Sequence, residues 1–236
     1  NPQKTPMMLQ QTPNVVRNLI IINVLFFVGS MVMGNEYATR LFAGTYPGSP
    51  FLRPWQIVTH MSMHGGLGHI FFNMFALYMF GSQLERLWGP QRFLNFYLVS
   101  GLGGFVLHEF VIGYNLYLDF GTFFPAEELF VPRGVTPLQR VLFLEGTYGR
   151  VVGASGAVFG LLLAFGMLFP NTRLMLLFPP IPIKAKYFVF GYGAIELLLA
   201  FQNGGNDHVA HFAHLGGMLF GYFLLKRWQK DRGSFY

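Results

Sequence analysis

Charged residues are scarce in this chain of 236 residues, and cysteine is absent. Asp, Glu, Lys and Arg make up 11% of the sequence, whereas a soluble globular domain carries about 25%. Hydrophobic residues make up 53%. The scarcity of charge excludes an ordinary soluble domain and indicates an all-α polytopic membrane protein. The lack of cysteine excludes disulfides, so the cysteine count does not indicate whether the protein lies in a reducing or an oxidising compartment.

Six apolar stretches are candidates to cross a membrane, since a span needs roughly 20 mostly apolar residues. They are Val15–Met33, Leu67–Leu84, Phe93–Val111, Gly153–Phe169, Tyr187–Phe201 and Val209–Leu225. Glu196 is the one charge within the fifth stretch. No convincing small-residue cleavage site follows the first stretch, so we expect a retained anchor there, not a removed signal peptide.

The distribution of charge over the loops predicts the orientation. If the N-terminus is cytoplasmic, eleven of the 16 Lys and Arg residues lie on the inner side and five on the outer side. An excess of Lys and Arg is typical of cytoplasmic loops. It predicts that both termini are cytoplasmic, with a first outer loop at 35–66 and a long second outer loop at 112–152. The net charge of +6 therefore reflects topology, and we expect no nucleic-acid partner.

Polar residues from three of the predicted spans converge at one depth. Ser155, His214, His69 and Asn73 all lie near the outer ends of their stretches, roughly 3 to 9 Å below them at 1.5 Å per residue. Polar side chains inside a span are costly and indicate function by default. A serine with a histidine is the minimum equipment for nucleophilic acyl transfer.

Stripes of small residues predict that the fourth and sixth helices touch. The stripes are Gly156 and Gly160 on one helix and Ala213, Gly217 and Gly221 on the other. Small residues let helix backbones approach closely in lipid. Because His214 lies on the face of its stripe, close contact would bring an imidazole to Ser155. The alternative is that the glycines only pack the bundle.

Several motifs, in order, resemble the rhomboid family of intramembrane serine proteases between about Pro54 and Gly221. His64, His69 and Asn73 match a His-x4-His-x3-Asn pattern, and Glu85 and Gly89 match Glu-x3-Gly; Gly153-Ala154-Ser155-Gly156 matches Gly-x-Ser-Gly, and Ala213-His214 with Gly217 and Gly221 matches the histidine helix. The resemblance implies a single rhomboid-like domain over 1–236, folded as a six-transmembrane-helix bundle.

The resemblance also implies roles for individual residues. Ser155 would be the nucleophile and His214 its general base, in a dyad with no carboxylate as third member. His69 and Asn73, with the backbone N–H of Ser155, would stabilise the oxyanion. Supporting roles fall to His64, which would bond loop backbone, to Phe159, which would stack on His214, and to Gly153 and Gly156, which would leave room for substrate.

Three features depart from the family pattern. Gln56 stands where the family often has arginine, so the first loop would be held differently. The second loop, 112–152, is long and rich in aromatic residues, including Tyr114 and Phe130. His211 precedes His214 by three residues, and only the family register favours His214 as the base.

Three other functions are compatible with some of these residues. The histidines at 60, 64, 69, 211 and 214 could bind a metal, but the zinc-protease pattern His-Glu-x-x-His fails after His108-Glu109, and we expect no metal and no cofactor. Glu109 and Glu196 would suit a proton-coupled transporter, although no inverted repeat is visible. An inactive rhomboid-like protein that binds and traffics clients would be expected to lack Ser155 or His214.

The sequence thus predicts an intramembrane serine endopeptidase that hydrolyses peptide bonds in or next to transmembrane segments of other proteins. We expect membrane lipids as its other partners, with the basic tail Lys226–Arg232 near anionic headgroups. The expected location is a bacterial inner membrane, with the active site opening to the outer side.

Overall fold

Helices dominate the computed structural model, which describes residues 12–49, 51–123, 149–175, 180–202 and 211–233. Within these ranges the helices are α1 Asn14–Met33, α2 Asn35–Phe42, α3 Gln56–Thr59, α4 Leu67–Ala76, α5 Ser82–Trp88, α6 Pro90–Phe120, α7 Ser155–Leu168, α8 Ala185–Gln202 and α9 His211–Gly233. A 3-10 turn, His60–Ser62, follows α3, and a π-helical turn, Leu77–Gly81, joins α4 to α5.

Each of the six predicted apolar stretches forms a helix or a run of helical turns where the structure describes it, although the helix of the fourth begins at Ser155 and ends at Leu168, inside the predicted Gly153–Phe169. The second stretch is built from α4, the π-helical turn and α5, and the sixth is described from His211 onward, so its predicted start at Val209 lies outside the described residues. Among the described helices, Asn14–Met33 and Pro90–Leu118 are long and apolar enough to cross a membrane by themselves, and Ser155–Leu168 is a shorter apolar helix.

Helix α6 extends past Val111, the predicted end of the third span, into residues assigned to the second outer loop, whose place outside the membrane stays a prediction. Helix α6 continues to Phe120 and ends where Gly121 adopts a left-handed conformation, with φ 72°. The N–H of Gly121 closes the last turn on the carbonyl of Tyr117 at 2.8 Å. Asn115 and Asp119 lower the mean hydropathy beyond Val111, but no proline interrupts the backbone before Gly121. Residues 124–148 of the predicted loop lie outside the described part.

Helix α7 lies at the centre of the bundle, with ten of its 14 residues buried. Its glycines meet α9 directly: a Cβ on Gly217 would lie 1.9 Å from the carbonyl oxygen of Gly156, and one on Gly160 would lie 2.9 Å from that of Gly217. Any larger side chain would push the helices apart. The predicted contact between the two small-residue stripes is confirmed.

The predicted first outer loop, residues 35–66, is held by a buried amide. The side chain of Gln56 is fully buried; its Oε1 accepts from the N–H of Arg53 at 2.7 Å and its Nε2 donates to the carbonyl of Arg40 at 3.0 Å. Thr59 Oγ1 donates to the carbonyl of Phe42 at 2.7 Å. Gln56 therefore anchors this loop with both halves of a neutral amide.

A short strand pair ties this loop to the segment that leads into α7. Strand β1, Gly44–Thr45, pairs antiparallel with β2, Arg150–Val151. Just beyond β2, the N–H of Gly153 donates to the carbonyl of His60 at 2.9 Å. The entry to α7 is thus fixed by backbone bonds to the first outer loop. A second pair, β3 Arg173–Met175 with β4 Pro182–Lys184, lies between α7 and α8.

Candidate active site

Ser155 is the first residue of α7, and Gly153 sets the backbone in front of it. Gly153 has φ +131°, a conformation that L side chains rarely adopt. A Cβ there would also lie 2.9 Å from Nε2 of His69 and 3.3 Å from Oγ of Ser155. Only glycine fits between these two side chains, and room for substrate at Gly153 stays a prediction.

The hydroxyl of Ser155 meets the imidazole of His214 across the α7–α9 contact. The Oγ–H donates to Nε2 of His214 at 2.9 Å. On its other side the imidazole is covered by Phe159, whose ring is stacked on it with centroids 4.2 Å apart and planes 9° apart. The predicted stacking of Phe159 is confirmed. The close approach at Gly156 and Gly217 is what lets the two helices place these side chains together.

A carboxylate stands behind His214, so the expectation that no acid would be its partner is wrong. Oε2 of Glu196, on α8, lies 2.9 Å from Nδ1 of His214 and 2.6 Å from Nδ1 of His211. All three side chains are buried. Because a carboxylate only accepts, both Nδ1 atoms carry the proton and donate. His214 is then left with Nε2 as its acceptor for Ser155.

Glu196 lies at the same predicted depth as His214, although it is on the fifth stretch and Ser155, His214, His69 and Asn73 are on the second, fourth and sixth. Glu196 lies five residues before the outer end of the fifth stretch at Phe201, and His214 lies five residues after the outer end of the sixth at Val209. At 1.5 Å per residue both sit roughly 8 Å deep. The signal was present in the spacing.

The geometry distinguishes the two histidines of α9. His214 presents its Nε2 to Ser155, whereas His211 presents its Nδ1 to Glu196 and stands at 88° to the His214 ring with centroids 6.3 Å apart. The His214 register, which the spacing of the two residues left open, is the one that reaches the serine.

His69 reaches the same site from α4. Its Nδ1 accepts from the N–H of Gly65 at 3.3 Å, which in the neutral ring leaves the proton on Nε2. That N–H is the atom beside Gly153. Asn73, one turn further, donates from Nδ2 to the carbonyl of His69 at 2.9 Å, while its Oδ1 has no partner among the described residues. His69 thus faces the serine, and one donor of Asn73 is taken up by its own helix.

His64 packs edge-on against His69, with ring centroids 5.0 Å apart. Burial and the neighbouring His69 lower the pKa of His64 to about 4, so this loop histidine is neutral at physiological pH. The backbone of Ser62 interacts with the His64 ring and favours its protonated form, as expected of a bond to loop backbone, although neither ring nitrogen has a partner with full hydrogen-bond geometry among the described residues. Its contact with the site is through the ring.

A small pocket opens beside Ser155, between the first outer loop and helices α6 and α9. Its lining consists of His60, Gly101, Phe105, Val151, Val152, Gly153, Ser155, Gly156 and Ala213. Glycine, alanine and valine dominate this list. The pocket is therefore narrow and mostly apolar, with the serine hydroxyl on its wall.

Glu196, His211 and His214 are also the residue types of a metal site. Their distances are those of hydrogen bonds. Two ligands of a tetrahedral zinc ion at 2.0–2.1 Å stand roughly 3.3 Å apart, whereas the carboxylate oxygen lies 2.6 and 2.9 Å from the two ring nitrogens. These are hydrogen-bond lengths, so in this arrangement the carboxylate accepts from both imidazoles, and the expectation that no metal binds stays a prediction.

These features define a helical membrane protein with a serine and a histidine joined inside the bundle. Comparison with protein families assigns it more closely: the family model described as "Rhomboid domain" matches residues 52–227, which is most of the chain. The chain belongs to the rhomboid family.

Curated relatives come from organelles and from a bacterium. RHOMBOID-like protein 12, mitochondrial, of Arabidopsis thaliana is 29% identical over 224 residues, covering 94% of this chain and 60% of the relative. The human Presenilin-associated rhomboid-like protein, mitochondrial, is 28% identical over 218 residues, covering 90% and 48%. The Putative rhomboid protease YdcA of Bacillus subtilis is 27% identical over 176 residues, covering 73% and 68%. The chain thus spans about half the length of the mitochondrial relatives.

Proposed function

We propose that this protein is an intramembrane serine endopeptidase. The observation that carries the proposal is the 2.9 Å hydrogen bond between Ser155 Oγ and His214 Nε2. The two residues come from different helices and are 59 positions apart in the chain, and a nucleophile within reach of its base is the signature of covalent catalysis by serine. A relative named as a putative rhomboid protease supports the same activity.

The reaction follows from the positions of the donors and acceptors. His214 Nε2 takes the proton of Ser155 as Oγ attacks the carbonyl carbon of the scissile bond. The oxyanion accepts from the N–H of Ser155 and from the donors of His69 and Asn73. The His214 imidazolium then protonates the leaving amine, and the C–N bond breaks to leave an ester on Ser155. Water, deprotonated by His214, hydrolyses that ester and frees the serine.

The substrates are proposed to be transmembrane or membrane-adjacent segments of other proteins. A helix in lipid hides its carbonyls in hydrogen bonds, so a substrate has to unwind locally before Ser155 can reach one. The narrow pocket beside Ser155 suits a small side chain next to the scissile bond. The test is purified protein with a model transmembrane substrate, compared with Ser155→Ala. Cleavage that is lost in Ser155→Ala supports the proposal.

A result without cleavage would favour the second candidate, an inactive rhomboid-like protein that binds clients. Two measurements distinguish the endopeptidase from the client-binding protein. The endopeptidase cleaves and reacts covalently with a serine-directed fluorophosphonate, whereas the client-binding protein retains substrate in a pull-down and does neither. Retention of Ser155 and His214 in bonding contact supports the enzyme.

We further propose that residues 1–236 form one membrane domain whose six helical segments all cross the membrane, with both termini on the cytoplasmic side and 35–66 outside. The loop charges support this orientation. The chain lacks cysteine, so single cysteines can be placed at residues 128 and 230 and treated with an impermeant thiol reagent. We expect labelling from outside at 128 only. Labelling at 230 alone would contradict the orientation.

The membrane itself is a finer question than the orientation. Relatives are named for mitochondria and for a chloroplast as well as for a bacterium, so their names do not favour a bacterial inner membrane. That location stays a prediction from the sequence. Fractionation of native membranes with an antibody against this chain tests it, and recovery in an organelle fraction would contradict it.

A further inference from the structure

Glu196 occupies the position behind His214 that an orienting acid occupies in a serine-protease triad. In that arrangement the acid holds the imidazole in one tautomer and stabilises the imidazolium that forms. Here the carboxylate of Glu196 is buried, its Oε2 lies 2.9 Å from His214 Nδ1, and His214 Nε2 lies 2.9 Å from Ser155 Oγ. The three groups form a continuous line from carboxylate to hydroxyl.

The tautomer matters because a neutral imidazole has one donor and one acceptor. With its proton on Nε2, His214 could not accept from Ser155, and the nucleophile would stay inactive. The carboxylate of Glu196 removes that possibility, since it can accept from Nδ1–H but has no proton to give. Phe159 stacks on the ring at 4.2 Å, which restrains its tilt but leaves the tautomer undecided. Among the contacts that the structure describes, Glu196 makes the one that selects it.

His211 holds the carboxylate in place. Its Nδ1 lies 2.6 Å from the same oxygen, Oε2, that accepts from His214. The two imidazoles approach this oxygen from rings that stand 88° apart. Two donors on one oxygen fix the carboxylate better than one, because rotation about the side chain would break both bonds.

We propose that Glu196 is a positioning residue for the proposed protease, the third member of a Ser155–His214–Glu196 triad, and that His211 supports it as a second donor to the same carboxylate oxygen. The inference rests on the proposed function, and it replaces the dyad that the sequence predicts. Glu196 acts through His214 and has no need to touch the substrate.

The direct test is Glu196→Gln, with Glu109→Gln as the matched control. Both glutamates are 6% exposed on long helices, and Glu109 is outside the triad. Glutamine keeps the shape of Glu196 but loses its charge and can turn an NH2 group toward Nδ1. In a soluble triad the corresponding change lowers kcat about 10⁴-fold. We expect Glu196→Gln to lower kcat by about 10²- to 10⁴-fold with KM within about threefold, and Glu109→Gln to stay within about twofold.

Two further variants separate positioning from packing. Glu196→Asp keeps an acceptor that cannot donate, so it should retain more kcat than Glu196→Gln even though it leaves a larger gap. His211→Ala should retain measurable activity, with a loss of at most about tenfold, because His214 keeps its own bond to the carboxylate. If packing were the only role, the near-isosteric glutamine would be the milder change, and that order would overturn the proposal.

The outcomes also separate this inference from the proposed function. If Ser155→Ala is inactive while Glu196→Gln and Glu196→Ala keep kcat within about threefold of the unmodified protein, the triad is wrong and the protease stands. If Ser155→Ala still cleaves, the protease itself is wrong. Should the Glu196 variants fail to fold, 15N NMR of histidine-labelled unmodified protein decides: a proton on Nδ1 of His214 is expected, and a proton on Nε2 alone would overturn the proposal.

Discussion

Two glutamates are buried to nearly the same degree at opposite ends of the bundle, but they accept hydrogen bonds from different kinds of donor. Glu85 is 5% exposed and Glu196 is 6% exposed. Glu85 accepts from the backbone N–H groups of Val15 and Val16 at 3.0 and 2.8 Å. Glu196 accepts from the imidazoles of His211 and His214 at 2.6 and 2.9 Å.

The comparison shows how the same side chain serves stability in one place and chemistry in another. Backbone amides do not exchange protons with a substrate. The residue that precedes helix α1, Pro13, makes no side-chain hydrogen bond to the first turn of the helix. Glu85 therefore caps α1, and its negative charge interacts favourably with the positive end of the helix dipole. An imidazole can carry a proton between atoms, so a carboxylate that orients it takes part in chemistry. Burial and residue type alone do not distinguish the role of Glu85 from that of Glu196.

The largest expected effect comes from replacing Ser155 or His214. Ser155→Ala and His214→Ala should each reduce cleavage to background, a loss on the order of 10⁶-fold in kcat in a soluble serine protease. The double variant should be no worse than either single one, because members of a catalytic unit are not additive. Single-turnover cleavage of a fluorogenic transmembrane substrate measures this. An additive double variant would show that the two residues act independently.

A smaller loss is expected from Asn73→Ala. Removing one donor from an oxyanion hole costs about 2.7–4 kcal/mol in a soluble serine protease. Here the loss should be less, because His69 and the N–H of Ser155 donate as well. The expected change is in kcat, with little change in the midpoint of thermal unfolding. A variant with unchanged kcat would remove Asn73 from the oxyanion hole.

The smallest expected effect on chemistry, and the sharpest test of the comparison, is Glu85→Ala. It leaves the buried N–H of Val16 and the partly buried N–H of Val15 without their charged acceptor, which should cost about 3 kcal/mol of folding free energy. The kcat of the folded fraction should stay within about twofold. Thermal unfolding in detergent and active-site titration measure the two quantities. Lost kcat at full active-site occupancy would contradict the division between the two glutamates.

The helices of the six apolar stretches were predictable from the sequence because lipid leaves an apolar run few alternatives to a helix. Helix α2, Asn35–Phe42, was not predicted, because it is short, carries charged residues and lies in the predicted first outer loop. The contact between Gly156 and Gly217 was predictable for a related reason, since small residues at a spacing of four form one face. The end of α6 was not, because hydropathy falls at Ile112 while the backbone continues to Phe120.

Two features of the site depended on tertiary structure. The strand pair Gly44–Thr45 with Arg150–Val151 has two residues in each strand, too short for a periodic pattern, and it joins segments more than a hundred positions apart. Glu196 was visible as a charge in an apolar stretch, but its donors come from another helix. Sequence position gave its depth and left open whether α8 turns it toward His214 or away.

The central claim is that Ser155 is a nucleophile activated by His214, and mapping the site of covalent labelling tests it most directly. The purified protein is treated with a fluorophosphonate, digested, and sequenced by tandem mass spectrometry. We predict one adduct, on Ser155, whose formation is lost in His214→Ala and slowed in Glu196→Gln. An adduct on another hydroxyl, or unchanged labelling of Ser155 in His214→Ala, would contradict the account.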